Sequence, residues 1–343
     1  MAKLAIQIFF ETAEDLLVSL MQNGKLLNDW LEAETENGEF VRKDSQFRNW
    51  ITPDGAAGPS GVGGFQAEPG RYHLYVSHAC PWAHRTLIMR KLKKLEDIIS
   101  VSVVHPHMGP KGWDFRVYPG ATGDNLYGYA YMHQLYTRAD QAYSGIVTVP
   151  VLWDKHQQTI VNNESSEIIR MLNSAFDVWG DASVDLYPAH LRADIDAINS
   201  RVYDDVNNRV YRVGFASTQL AYERNFDQLF AALDYLDARL AQQRYLVGRQ
   251  ITEADWRLFT TLIRFDAVYV GHFKCNLRRI ADYPYLFNYL LELYQWPGIA
   301  ETVNFDHIKQ HYYFSHSEIN PTRIVPKGPE LNLMQSHNRT TIS

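Results

Sequence analysis

The stretch from Tyr72 to Arg85 constrains this chain more than any other. Tyr72-His-Leu-Tyr-Val76 is an apolar run that predicts a buried strand, and Ser77-His78-Ala79 breaks it. Pro81 then suits the first turn of a helix that carries Leu87, Ile88, Leu92 and Leu95. Proline is favoured there because its missing N–H would have had no intrahelical partner. Cys80 therefore falls at a helix N-terminus, where unpaired N–H groups and the helix dipole favour a thiolate. That placement is one way to activate a cysteine. A lone cysteine is otherwise a small core residue. Strand, break, Cys-Pro and amphipathic helix in that order favour the reactive thiol.

Composition narrows the setting. At 343 residues the chain is long enough for two domains, with hydrophobic and charged fractions of 46% and 21% that suit a soluble globular protein. A net charge of −6 gives no reason to expect nucleic acid or an acidic membrane as partner. The only cysteines are Cys80 and Cys275, which excludes a disulfide framework and a cysteine-rich metal site and fits a reducing, cytoplasmic compartment. The apolar run Leu4 to Phe10 is too short for a signal peptide, and no segment is long enough to span a membrane. The sequons at Asn163 and Asn338 are incidental in such a compartment. Aromatic residues make up 13% of the chain, 21 of them tyrosines, which suits either a thick core or an aromatic-lined site for a flat ligand.

The chain before the central stretch is less informative. Leu16, Leu17, Leu20 and Met21 predict a short helix. Asn28 to Trp50 is polar with spaced aromatics (Trp30, Phe40, Phe47, Trp50) and suggests an extended arm pinned to a larger surface. Pro53 to Gly64 is loop. Its Gly61-Val-Gly63-Gly64 lacks the preceding strand and following Lys-Ser/Thr of a phosphate loop.

After the Cys80 helix, which ends near Lys94, Ile99–Val104 predicts a second strand. Residues 105 to about 145 are too long for a simple connection and predict a functional insertion with a Tyr-rich helix from Tyr127 to Tyr136. Val147 to Trp153 and Thr159 to Val161 predict a hairpin, and Asn163-Glu164-Ser165 opens a short helix over Ile168 to Leu172. The order is that of a thioredoxin-like α/β domain. Pro150 is compatible with a strand start if its preceding bond is cis.

Beyond a polar linker the periodicity is helical. Leu191 to Val206 and Tyr222 to Leu240 show spacings of three and four. Thr252-Glu-Ala-Asp255 predicts a capping box with Ile251 and Trp256 as its hydrophobic staple. Helices over Tyr285–Tyr294 and Pro297–His311 follow, then an extended tail. The expected division is an extension and arm (1–66), a thioredoxin-like domain (67–176), a linker (177–187), an all-α domain (188–315) and a tail (316–343).

This combination resembles a glutathione transferase. Cys80-Pro-Trp-Ala-His-Arg85, Gly112-Trp113, Pro119-Gly-Ala-Thr-Gly123, Asn163-Glu-Ser165, His272-Phe-Lys-Cys275, Asn304-Phe-Asp-His307 and Asn320-Pro-Thr322 resemble, more narrowly, the glutathionyl-hydroquinone reductases of the Xi class. The resemblance covers roughly residues 26 to 325. It implies glutathione as co-substrate, a glutathionyl-hydroquinone as aromatic substrate, no metal, and a homodimer.

Ala83 stands where a dithiol enzyme has its second cysteine, and Cys275 lies almost 200 residues away. A monothiol must form its mixed disulfide with an external thiol, and glutathione is the abundant cytosolic one. The Cys80 thiolate is expected to attack the sulfur of a glutathionyl-hydroquinone, leaving Cys80 glutathionylated until a second glutathione resolves it.

Val149, before Pro150, can pair its backbone with the cysteinyl part of glutathione. Glu164 suits the γ-glutamyl ammonium, and Ser165 with the helix N-terminus suits its carboxylate. Plain helix capping is the alternative for these two. The resemblance adds Trp113 over the glutathione backbone, where core packing is the alternative. It also implies Tyr211 and Tyr312 beside the hydroquinone, where their phenols would donate to the ring oxygen as charge develops. Tyr203 is a further substrate candidate or a core residue. His78, His84 and Arg85 are candidates to favour the thiolate, with structural roles open for the last two. His307 and His311 have the spacing of a metal pair but no third ligand. An Omega-type thioltransferase or dehydroascorbate reductase, which also uses Cys-Pro here, and a non-catalytic binding module are the alternatives.

Overall fold

The computed structural model describes residues 19–27, 35–36, 38–40 and 44–342. Leu16, Leu17 and Trp30, part of the expected helix and arm, lie outside them.

The chain opens with β1 (Ser19–Gln22) and β2 (Lys25–Leu27), an antiparallel pair, followed by the two-residue strands β3 (Thr35–Glu36) and β4 (Glu39–Phe40). Leu20 and Met21 are therefore in a strand, not the predicted helix. Tertiary pairing overrides the local pattern: β1 also pairs with β7 (Gly145–Val147), more than 120 residues away. The docking is close. A Cβ on Gly112, whose φ is +76°, would sit 1.5 Å from Ser19 Oγ, so only glycine fits there.

The central unit has β5 (Tyr72–Val76), α1 (Pro81–Leu92), β6 (Ser100–Val103), α2 (Met132–Ala139), β7, β8 (Val151–Asp154), β9 (Thr159–Asn162) and α3 (Ser165–Ser174). Its mixed sheet runs β6-β5-β8-β9, with β5 parallel to β6 and antiparallel to β8. Every residue of β5 and β8 is buried, as expected for strands covered on both faces. The α/β thioredoxin-like order is as expected, with two corrections. The run Val147 to Trp153 is two strands, because β7 joins β1 and β8 joins the main sheet, with the cis Val149–Pro150 bond between them. The Tyr-rich helix starts only at Met132. Before it, Asp124 pins an irregular turn by accepting from Leu126 N–H, Tyr129 N–H and the Tyr75 hydroxyl.

The remainder is helical: α4 (Arg192–Val202), a π-helical turn over Tyr203–Asn207, α5 (Arg209–Gly214), α6 (Gln219–Leu240), α7 (Glu253–Arg264), a second π-helical turn over Phe265–Tyr269, α8 (Pro284–Tyr294) and α9 (Phe305–Ser315). The predicted box closes α7, with Thr252 N–H donating to Asp255 Oδ2 at 2.8 Å. The last helix begins eight residues later than the periodicity suggested. Asn304 caps it by accepting from His307 N–H at 3.0 Å. Residues 316–342 are irregular apart from a single helical turn over Arg339–Thr341, but anchored. Arg339 is fully buried and donates to the carbonyls of Leu240 (2.7 Å), Gln243 (2.8 Å) and Arg244.

Helix α1 ties the halves together, packing on α3 and on α7. A four-group cluster joins them again. Glu253 of α7, fully buried, accepts from Arg170 of α3 at 2.7 Å and from Asn199 of α4 at 2.8 Å, with Arg257 at 3.6 Å. Two arginines on one carboxylate offset the cost of removing it from water.

Candidate active site

Cys80 is the N-cap of α1, with its backbone still extended (φ −74°, ψ 121°). Its Sγ accepts from Ala83 N–H and donates to the Val149 carbonyl, both at 3.5 Å. The sulfur therefore lies between the open end of a helix and the carbonyl preceding the cis proline. Neither Cys80 nor Cys275 is in a disulfide. Cys275 is fully buried, its nearest acceptor the Phe273 carbonyl at 3.9 Å, and burial pushes its thiol far up.

On the sheet side, Glu164 caps α3. Its Oε1 accepts from Ser166 N–H and the Ser166 hydroxyl, both at 2.9 Å, and its Oε2 takes a long 3.4 Å bond from Ser45. The capping alternative is thus realised in full. Ser165 is buried at the first position of α3, with Arg85 Nη1 at 3.4 Å from its hydroxyl. Arg85 also donates to Asn207 Oδ1 at 2.8 Å and lies 4.5 Å above the Trp82 ring. It braces α1 against α3 and the first π-helical turn.

On the helical side, Trp82 faces Tyr211 (6.4 Å between centroids, 23° between planes) and Tyr203 (5.9 Å). The Tyr211 and Tyr312 hydroxyls are 2.7 Å apart, and Tyr269, unforeseen in the sequence, stands 3.1 Å from Tyr312. Burial pushes the Tyr211 phenol well up, and the nearby Tyr269 and Cys80 add to it. The phenols of Tyr269 and Tyr312 are raised by burial too. All three are neutral donors at physiological pH. Phe273 packs on each of the three rings at 5.5–5.6 Å, and Gly214 makes room for it, since a Cβ there would lie 2.2 Å from that ring. Phe40, from the arm, reaches Tyr211 at 6.3 Å. So Cys80, Tyr203, Tyr211 and Tyr312 are brought into one neighbourhood.

Trp113 packs against α9. It is 7% exposed and stacks on His311 at 4.7 Å, so packing and ligand contact are both open to it. His307 and His311, the spaced pair on α9, each turn a ring N–H to the insertion. His307 Nε2 donates to the Pro119 carbonyl at 2.7 Å and His311 Nδ1 to that of Pro106 at 3.0 Å. Their visible work is to clamp the 105–145 segment.

The histidines flanking Cys80 are held toward their neutral forms. His78 is pulled down to about 4, first by burial and then by His307 and Arg264. His84 is held well below its usual range by burial, Arg264 and His78. Geometry agrees for His84: an arginine always donates, so His84 Nδ1, 3.1 Å from Arg264 Nη1, must be a lone pair. Its Nε2–H then donates to Thr302 Oγ1 at 2.7 Å.

Comparison with known proteins places this architecture. The family model "Glutathione S-transferase, N-terminal domain" matches residues 79–175, and "Glutathione S-transferase, C-terminal domain" matches residues 219–292. The glutathionyl-hydroquinone reductase YqjG of Escherichia coli is 58% identical over 90% of this chain and 95% of its own. Its glutathione-bound structure aligns at a TM-score of 0.85 over 86% of this chain and 96% of that one. The glutathionyl-hydroquinone reductase PcpF of Sphingobium chlorophenolicum is 52% identical over 91% of this chain and 96% of its own. A Xi-class transferase of Natrialba magadii, 47% identical, aligns at 0.89 over 96% of this chain and 99% of that one. The chain belongs to the glutathione transferase family, in its Xi class.

Proposed function

We propose that this protein reduces glutathionyl-hydroquinones to hydroquinones with glutathione as co-substrate, and that Cys80 carries the reaction. The observation that carries the reading is a helix-capping thiol with no second cysteine within a turn, set beside the paired phenols of Tyr211 and Tyr312. The Cys80 thiolate attacks the glutathionyl sulfur. A sulfur–sulfur bond forms, the bond from sulfur to the ring carbon of the keto tautomer breaks with its electron pair passing to the ring oxygen, and that oxygen takes up a proton. A second glutathione thiolate then attacks the mixed disulfide, releasing glutathione disulfide and returning the Cys80 thiolate. The net change is one glutathionyl-hydroquinone and one glutathione to hydroquinone and glutathione disulfide.

Tyr211 and Tyr312 hydrogen-bond the ring oxygen as its charge grows, with Tyr203 and Trp82 along the ring's flank. Glutathione lies against Val149 and Pro150, its γ-glutamyl end over Glu164 and Ser165, with Trp113 across its backbone. Occupying that site requires Glu164 Oε2 to exchange its long bond from Ser45 for the glutathione ammonium, a shorter and charge-assisted contact. The same reading takes the protein as a cytoplasmic homodimer. Two buried cysteines outside any disulfide suit a reducing compartment.

The test is competition between substrates. Turnover of a glutathionyl-hydroquinone should exceed that of dehydroascorbate by at least about 10²-fold in kcat/KM, on the order of 3 kcal/mol of transition-state preference. Equal turnover, or preference for dehydroascorbate, would make this an Omega-type enzyme instead.

A further inference from the structure

Arg264, the last residue of α7, is the one charged side chain in the apolar run Leu258 to Phe265 and is fully buried. Its guanidinium reaches out of the helical half into the break before Cys80. Nε donates to the Ala79 carbonyl at 2.8 Å and Nη2 to the His78 carbonyl at 3.0 Å. Nη1 donates to the Thr260 carbonyl at 2.7 Å and meets His84 Nδ1 at 3.1 Å. Every one of these acceptors is neutral. Among the described residues no carboxylate pairs with Arg264, although a buried cation is costly to leave uncompensated.

The carbonyls it holds belong to the two residues immediately before the nucleophile. Cys80 N–H is tied to the Ser77 carbonyl at 3.2 Å, so the peptide entering Cys80 is fixed from both sides, by its own loop and by α7. The groups facing the guanidinium are titratable but uncharged. His78, His84 and His311 are kept neutral, and the phenols of Tyr269 and Tyr312, which its charge favours ionising, are still raised by burial. Arg85, the other cation near Cys80, is directed to Asn207, Ser165 and Trp82. The reaction itself forms an anion next to the two residues whose carbonyls Arg264 holds, the Cys80 thiolate.

We propose that Arg264 is a positioning residue for the reaction: from the helical half it clamps the His78 and Ala79 carbonyls, sets the angle at which Cys80 meets the substrate, and stabilises the thiolate by its fixed charge. This rests on Cys80 being the nucleophile. It makes the helical half part of the thiol's activation as well as the ring's binding site. A guanidinium is required because a lysine ammonium has the charge but not the planar fork that serves two carbonyls, a helix carbonyl and an imidazole together.

The test uses Arg264→Met and Arg264→Lys in the full chain, reading the pH midpoint of Cys80 alkylation by iodoacetamide, kcat and KM for a glutathionyl-hydroquinone, and the thermal midpoint. Alkylation reads the thiol without the quinone chemistry, so failure of the proposed function and failure of this inference stay distinguishable. Arg264→Met is expected to raise the alkylation midpoint by about one pH unit, which is tenfold less thiolate at a fixed lower pH. Its kcat should fall by at least about tenfold with KM changed by less than about threefold, the pattern of an interaction felt in the transition state. Arg264→Lys should restore most of the midpoint but not kcat. A folded Arg264→Met with the wild-type alkylation midpoint and kcat overturns the inference. If Arg264→Met does not fold, Arg264→Lys decides alone: a wild-type kcat overturns the clamp, and a kcat down about tenfold at an unchanged midpoint supports it.

Discussion

The two cysteines of this chain are both buried, yet their surroundings are opposite in kind. Cys80 has a helix N-terminus on one side and a carbonyl on the other, with an arginine and three phenols close by. Cys275 is fully buried with the Phe273 carbonyl 3.9 Å away, and burial pushes its thiol far up although Lys274 opposes the shift. Burial alone therefore says nothing of reactivity. What separates the two sulfurs is whether dipoles aimed at the sulfur take over the work of water, as the Ala83 N–H does at Cys80.

The sharpest way to break this contrast is to remove each sulfur in turn. Cys80→Ala should lower reductase turnover by at least about 10³-fold with the fold intact by circular dichroism. Full turnover in that variant would end the claim that Cys80 is the nucleophile. Next in size, Tyr312→Phe removes the hydroxyl that bonds both Tyr211 and Tyr269, and kcat should fall by about 10²-fold, as when one donor to a developing oxyanion is lost. An unchanged kcat would restrict the tyrosines to packing.

Cys275→Ser should leave kcat within about twofold but destabilise the fold by about 1–3 kcal/mol in urea melts, the penalty of burying a poorly bonded hydroxyl. A large loss of activity at unchanged stability would instead give Cys275 a chemical role. A dependence on pH is spread over the histidines. His73, His78 and His311 are each pulled down to about 4, burial being the leading cause. The unfolded chain, with ordinary histidines near 6.5, takes up protons between pH 6.5 and 4 that the folded chain refuses. Stability must therefore fall as pH drops through that window, by up to about 1.4 kcal/mol per pH unit for each such proton. Urea midpoints measured from pH 7 to pH 5 check this, and a rising midpoint would contradict it.

Much of this was legible in local pattern. Strand, break, Cys-Pro and helix occur where the residues placed them, because a proline at the first turn and an apolar strand are decided within a dozen residues. The box at Thr252 and Asp255 is equally local. What failed was what tertiary pairing decides. Leu20 and Met21 are a strand because β2 and β7 are there to receive them, and Val147 to Trp153 divides because its ends join different sheets.

The site divides in the same way. Glu164, Ser165 and Val149 stand out by their order along the chain, whereas Tyr269 is one tyrosine among 21 with no spacing to mark it. Arg264 did carry a signal, a single charge inside the apolar run Leu258 to Phe265. The two carbonyls it holds before Cys80 lie some 185 residues earlier, and carbonyls leave no trace in a sequence.

The most direct measurement is mass spectrometry of the protein mixed with a glutathionyl-hydroquinone in the absence of free glutathione. Hydroquinone should appear in an amount equal to the protein, and peptide mapping should find one glutathione in disulfide linkage on Cys80 and none on Cys275. Hydroquinone release with Cys80 unmodified, or an adduct on Cys275, would contradict the account.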